Sequence, residues 1–198
     1  RVMSSLCADH GPCRTGDVDE VRRLLESKID PNESCEPHGS TAVHQAATGG
    51  SGEVLRLLYD FGADLTARDG RMLTAAHLAA DAGHVEVLRL LDELEIPVLL
   101  PDGTGKTALH RAAAAGHVAV LEFFQGLGID LLAPAENGKT AVHYAAQAGQ
   151  NAVLRFLPPS CSTKLLHLTE SILRGEQPRR PILAEAARRT WLDLEEEE

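Results

Sequence analysis

Thin and thick apolar segments follow one another along this chain in a fixed order. An alanine-rich stretch at 42–47 leads through Gly50 to Val54, Leu55, Leu57 and Leu58. The same order returns at 75–80, Gly83 and Val87 to Leu91, and again at 108–113, Gly116 and Val120 to Phe124. A last copy runs through 141–146, Gly149 and Val153 to Phe156. Apolar residues three and four apart make one face of a helix. Each unit therefore predicts two helices joined by a glycine turn, the first thin and the second carrying the larger stripe. The second helices are expected at 52–61, 85–94, 118–126 and 152–157.

The polar positions repeat as strictly. Thr41, Thr74, Thr107 and Thr140 each open the phrase Thr-Ala-x-His-x-Ala-Ala, at intervals of 74−41, 107−74 and 140−107, all 33. Each Thr is an N-cap candidate whose hydroxyl can accept from amides of the first turn. Gly50, Gly83, Gly116 and Gly149, nine residues on, are positioned to end the first helix in a left-handed conformation. After the second helix, Gly62 to Asp64 and Gly128 to Asp130 turn the chain into a hairpin-like loop. Glu95-Ile96-Pro97 replaces that turn once and predicts a locally bent loop. Residues 7–39 read as a modified first copy, with Pro12 in its first helix and Val18, Val21, Leu24 and Leu25 on one face of its second. Pro158-Pro159 stops the last second helix.

A 33-residue phrase of this kind resembles the ankyrin-repeat family, over residues 7–157. The phrase carries Ala where the family has Pro (Ala42, Ala75, Ala108, Ala141). The resemblance implies an all-α solenoid of about five repeats, starting near 7, 41, 74, 107 and 140. The expected organisation is a repeat array over 1–159, a two-helix cap over 160–194 and an acidic tail at 195–198. Leu165, Thr169 and Leu173 in the cap also invite comparison with an elongin-binding helix that follows some arrays. Thr169 stands where that helix has Cys, and no Leu-Pro-Leu-Pro element follows, so the cap is the expectation.

The family likeness further implies a non-catalytic module that binds a protein partner through hairpin tips and the concave edge of the first helices. Carried onto this sequence, the first two copies contribute Arg14, Thr15, His38, Ser40 and Thr48. The third contributes Arg71, Met72, Leu73 and Asp81, with Met72 and Leu73 forming an exposed apolar step that either meets a partner or packs against the neighbouring hairpin. The last two contribute Thr104, Lys106, Arg111, Asn137, Lys139, Tyr144 and Gln147. Arg71, Arg111 and Tyr144 are the expected anchors, being residue types that carry energy at interfaces. A scaffold subunit of an assembly fits the same fold. The alternative is a docking or regulatory fragment of a larger enzyme or ubiquitin-ligase-adaptor type of protein.

Composition narrows the chemistry. Only 4% of the 198 residues are aromatic, which suits small residues packed between stacked helices. The net charge of −10 disfavours direct binding of a phosphate backbone, and no apolar run is long enough to cross a bilayer. An intracellular site is expected, the cytoplasm or an organelle reached by way of a removed targeting peptide. Four cysteines predict reduced thiols. No cofactor or metal is expected. Cys7, His10, Cys13 and Cys35 have plausible metal spacing, yet His10 and Cys13 fall on interior repeat positions. His44, His77, His110 and His143 lie a repeat apart, roughly 10 Å, too far to share an ion; in the family this His bridges neighbouring backbone and cap groups. Gly103 to Thr107 mimics part of a phosphate-binding loop, but position 100 is Leu and the segment is a hairpin tip.

Overall fold

The computed structural model describes residue 6 and residues 11–35 and 38–157. Among these residues ten helices form two rows. The inner row is α1 (Pro12–Thr15), α3 (Ala42–Gly49), α5 (Ala75–Ala82), α7 (Ala108–Ala115) and α9 (Ala141–Ala148). The outer row is α2 (Val18–Glu26), α4 (Gly52–Asp60), α6 (Val85–Glu93), α8 (Val118–Gly126) and α10 (Asn151–Phe156). Each inner helix packs on the next inner helix and on its own outer partner. The bounds expected from the apolar spacing hold to within one residue for all four later outer helices. The expected cap and acidic tail lie outside the described residues.

The inner helices are thin because their buried faces are Ala46-Ala47, Ala79-Ala80, Ala112-Ala113 and Ala145-Ala146. Outer helices supply bulk instead: Val54, Leu55 and Leu58 in α4, Val87, Leu88 and Leu91 in α6, and Val120, Leu121 and Phe124 in α8 are fully buried. Each such side chain stabilises the stack by about 1.5–3 kcal/mol on burial. The modified first copy follows the rule. Val21, Leu25 and Cys13 are buried, and Pro12 occupies the first turn of α1, where its missing N–H costs nothing.

Two rails of side chains tie the repeats together. In the first, His44 Nδ1 accepts the backbone N–H of Thr41 at 3.1 Å, and the Thr41 hydroxyl lies 2.9 Å from the same nitrogen. Its Nε2 then reaches 3.0 Å to the carbonyl of Leu73 in the following repeat. His77 repeats this with Thr74 and the Lys106 carbonyl, and His110 with Thr107 and the Ala133 carbonyl. A carbonyl can only accept, so Nε2 carries the proton and Nδ1 is bare. Burial lowers the pKa of all three imidazoles below the ordinary histidine value, which keeps them in that neutral form.

The second rail runs backwards. His84, His117 and Gln150, one repeat apart, bond the carbonyls of Thr48, Asp81 and Ala114 at the ends of the preceding inner helices. Gly50, Gly83 and Gly116 end those helices at φ of 78°, 81° and 93°. A Cβ there would stand 2.5 Å, 2.7 Å and 2.5 Å from the His84, His117 and Gln150 side chains. These glycines are needed twice, for backbone and for room.

The loop departs from its neighbours as expected, but only past Pro97: the chain bends at Val98 where the other repeats have turns at Leu65 and Thr66 or at Leu131 and Leu132, and the Ala67–Asp64 and Ala133–Asp130 backbone bonds have no counterpart there. At Glu95 itself the turn is kept. Glu95 adopts φ 58°, the conformation that Gly62 and Gly128 take in the neighbouring repeats. Its N–H bonds Asp92 and that of Ile96 bonds Leu91, as Gly62 bonds Tyr59 and Ala63 bonds Leu58. Thiol chemistry departs from expectation, since Cys35 is disulfide-bonded, with its other half outside the described residues. Cys13 is free, and burial pushes its thiol pKa up to about 12. Among the described residues no helix is long and apolar enough to cross a membrane, and no group of three metal-ligating side chains assembles.

Candidate functional site

The hairpin tips form a continuous row. Gly70 N–H donates to the His38 carbonyl at 2.8 Å, Gly103 N–H to the Arg71 carbonyl at 3.1 Å, and Glu136 N–H to the Gly105 carbonyl at 3.2 Å. Each tip is thus bonded to the next, and side chains at equivalent positions (His38, Arg71, Thr104, Asn137) stand side by side. The tips are shaped from within. Asp69 Oδ1 accepts the N–H groups of Arg71 and Leu73, both at 2.8 Å. Asp102 Oδ1 accepts from Thr104 N–H and its hydroxyl, both at 2.7 Å, and from Lys106 N–H at 3.1 Å. In the last tip Ala135 replaces this Asp, and Asn137 takes over, accepting from Lys139 N–H at 3.1 Å.

Asp102 has a second task. Its Oδ2 accepts from Arg111 Nη2 at 2.8 Å and Nε at 3.1 Å, while Arg111 Nη1 reaches Asp81 Oδ2 at 2.6 Å. The Asp102 side chain is 1% exposed and that of Arg111 20%. Burial alone would raise the Asp102 pKa, but the bonds from Thr104, Arg111 and Lys106 hold it well below the carboxylate range. For Arg111 burial works against the charge and the two carboxylates outweigh it, raising its pKa. The guanidinium therefore clamps hairpin, α7 and α5 together. Residue type alone does not point to Asp102 or Asp69; their spacing of 33 is the signal in the sequence that could have found them.

Of the three expected anchors, only Arg71 is free: its side chain is 74% exposed, with a loose 3.7 Å contact to Asp69. Arg111 is the clamp just described. Tyr144 is buried, its hydroxyl exchanging bonds with Asn137 and its ring edge-on to His110 at 5.4 Å. Lys106 Nζ lies 5.0 Å over that ring, which makes Tyr144 the floor beneath a surface cation. The expected apolar step is corrected by half. Met72 is 44% exposed, but Leu73 is fully buried, because the left-handed turn at Met72 (φ 62°) sends the two side chains to opposite sides.

Arg14, Thr15, His38, Thr104, Asn137 and Gln147 are exposed as expected, and Ser40, Thr48, Asp81, Lys106 and Lys139 are half-buried. Thr48 and Thr104 spend their hydroxyls on the carbonyl of His44 and on Asp102. Ser40 receives Gln45 Nε2 at 3.3 Å, while the Asp81 carboxylate is held by Arg111. Two stacked rows and bonded tips at a 33-residue period decide the classification, together with two family models. The model for three copies of ankyrin repeats matches residues 67–134 and 97–165, and that for many copies matches residues 13–58.

The chain belongs to the ankyrin-repeat family. Ankyrin repeats are protein–protein interaction elements. Protein phosphatase 1 regulatory subunit 27 of the mouse (Mus musculus) is 34% identical to this ankyrin array over 64 residues. That match covers 32% of the chain and 40% of the mouse protein, so the chain spans less than half of that relative's length.

Proposed function

We propose that this ankyrin array is a non-catalytic module that recognises a partner protein through its row of hairpin tips and the adjoining edge of the inner helices, and can serve as a scaffold subunit. The observation that carries the reading is the contrast between two sets of positions. Thr, His, Ala-Ala and Gly recur in every later repeat and are consumed by packing. The bonded row at 38, 71, 104 and 137 holds His, Arg, Thr and Asn, all exposed. A rigid frame whose exposed tip positions differ from repeat to repeat is suited to reading another surface.

Catalysis has little foothold. Among the described residues a nucleophile–base pair is approached where a Thr hydroxyl lies 2.9 Å from His Nδ1, in each later repeat. Those hydroxyls cap helices, and the imidazoles of His44, His77 and His110 are buried with Nε2 spent on a carbonyl, so no substrate can reach them. A second reading, a regulatory subunit that docks an enzyme, is favoured by the name of the mouse relative. Photo-crosslinking separates the binding face from the rest. A benzophenone side chain at Asn137 or Gln147 is expected to capture a partner in cell extract that the same group at Arg56, on α4, does not. Capture from position 56 alone would overturn the reading.

A further inference from the structure

Charge is segregated across the array. The outer helices α4, α6 and α8 expose six carboxylates (Glu53, Asp60, Glu86, Asp92, Glu93, Glu122) against two guanidiniums (Arg56, Arg89). The charges that the tip row exposes are mostly positive although the whole chain is at −10. Its acids Asp69 and Asp102 are buried and bound to backbone N–H groups, and Asp81 is bound to Arg111. That leaves the cations Arg71, Lys106 and Lys139 facing outward, with Glu136 as the exposed carboxylate among the described tip residues. Lys106 and Lys139 have no salt-bridge partner among the described residues, and Arg71 has only its loose contact.

Met72 stands in the middle of that row. The equivalent position is Gly in the other described tips (Gly39, Gly105, Gly138), all at positive φ. Met72 keeps the same left-handed backbone at φ 62°, which a side chain disfavours by roughly 1–2 kcal/mol. A long apolar side chain is thus held in a strained conformation and left 44% exposed beside a free guanidinium. Its stem lies against Gly103 of the next tip, with Met72 Cγ 3.7 Å from where a Cβ at Gly103 would stand, and the rest of the side chain is left to solvent, available to a partner.

From these two observations we propose that the tip row takes an acidic, extended segment of another protein, its carboxylates paired with Arg71, Lys106 and Lys139 and one apolar side chain seated on Met72. Resting on the reading of the array as a binding module, this names the chemistry of its partner. Adjacent repeats are roughly 10 Å apart, so the tips from Arg71 to Lys139 span about 20 Å. An extended strand covers that distance in about six residues.

The test is selection of random twelve-residue peptides displayed on phage, with the full 198-residue chain as bait. The expected result is enrichment of sequences rich in Asp and Glu around one aliphatic or aromatic residue. A synthetic peptide from that pool should lose at least tenfold in affinity on Arg71→Glu/Lys139→Glu and stay within about twofold on Arg22→Glu/Arg56→Glu, the same charge change on the outer row. Met72→Gly should weaken the peptide severalfold while raising the urea midpoint, a pair of opposite signs that a structural role for Met72 cannot produce. Neutral or basic peptides that are lost on the tip substitutions would overturn the acidic chemistry and leave the binding module standing. Acidic peptides indifferent to those substitutions, or no enrichment at all, would overturn the inference outright.

Discussion

Acid should loosen this array from within, at a pH where its carboxylates are still ionised. His44, His77 and His110 are each bare at Nδ1, which takes a Thr N–H, and protonated at Nε2, which donates to a carbonyl of the next repeat. A second proton can only go on Nδ1, where it would face a donor. Folding therefore lowers these pKa values, with burial the leading cause. Below about pH 6.5 the unfolded chain takes up protons on these imidazoles that the folded array resists, and His143, whose pKa burial also lowers, adds to the difference. Stability is complete above that pH and falls as the pH drops towards the lowered folded values. While the folded imidazoles stay neutral, each contributes a slope of about 1.4 kcal/mol per pH unit, or about 4 kcal/mol per unit for three. Between pH 8 and pH 5.5 the loss from these three is at most about 4 kcal/mol, against a total of about 5–15 for an ordinary domain. Asp102 does not interfere, because its depressed pKa places its own loss at pH values below the ordinary carboxylate range. Urea titrations followed by circular dichroism across this range measure the drop. His77→Gln should cost about 1–3 kcal/mol at pH 8 and make the drop to pH 5.5 smaller by at most about 1.4 kcal/mol. A midpoint that is flat from pH 8 to 5.5, or a drop unchanged by His77→Gln, would refute the argument.

Other outcomes follow from single contacts. Gly83→Ala must tolerate φ 81° and a Cβ 2.7 Å from the His117 ring, so it should cost more than the roughly 1–2 kcal/mol of left-handed strain alone, read as a lowered urea midpoint. Arg111→Met leaves Asp102 buried and unpaired and should destabilise by about 3 kcal/mol, while Asp81→Asn, at a carboxylate 39% exposed, should cost under about 1. Equal losses in the two would refute the division of labour around Arg111. Glu95→Gly removes the strain of φ 58° at an exposed turn and should raise the midpoint by about 1 kcal/mol in stability; no gain would mean that the Glu95 side chain returns something for its strain.

The fold is legible in the sequence because its determinants are local and repeated. Thr at the cap, His three residues on, paired alanines and a closing Gly each act within one unit, and their period carries the stacking with them. The backward rail is equally periodic in His84, His117 and Gln150, but its bonds cross 36 residues and join unlike side chains, so spacing alone does not expose it. The candidate site is harder to read for a related reason. Arg111 and Tyr144 occupy the same position one repeat apart, and residue type suggests two anchors. Whether such a side chain faces a partner depends on what stands at the tip before it. Asp102 draws Arg111 inward, and where Ala135 replaces that Asp, Tyr144 turns to Asn137. Leu73 reads as exposed in the sequence because a single left-handed residue reverses the direction of its successor, and Met72 gives no sign of φ 62° in its type.

The buried acids also account for how an anionic protein can present a cationic row. A hairpin tip must satisfy several N–H groups that no helix or strand accepts, and a carboxylate below the tip does so at Asp69 and Asp102. A carboxylate so used is desolvated and surrounded by donors, so it contributes little field at the surface. The cations Arg71, two residues after Asp69, and Lys106, four after Asp102, have long stems and are better hydrated outside, so they project. The sign of the row thus follows from the way its turns are built. Replacing Asp102 by Asn would then act in two ways: it would weaken the tip and release Arg111 from its buried partner. Crystallographic B-factors or amide exchange at 103–106 would report the first effect, and a shift of Arg111 towards Asp81 the second. If exchange at 103–106 stayed at its wild-type rate, the carboxylate would not be what holds the tip, and turn construction would no longer explain the cationic surface above it.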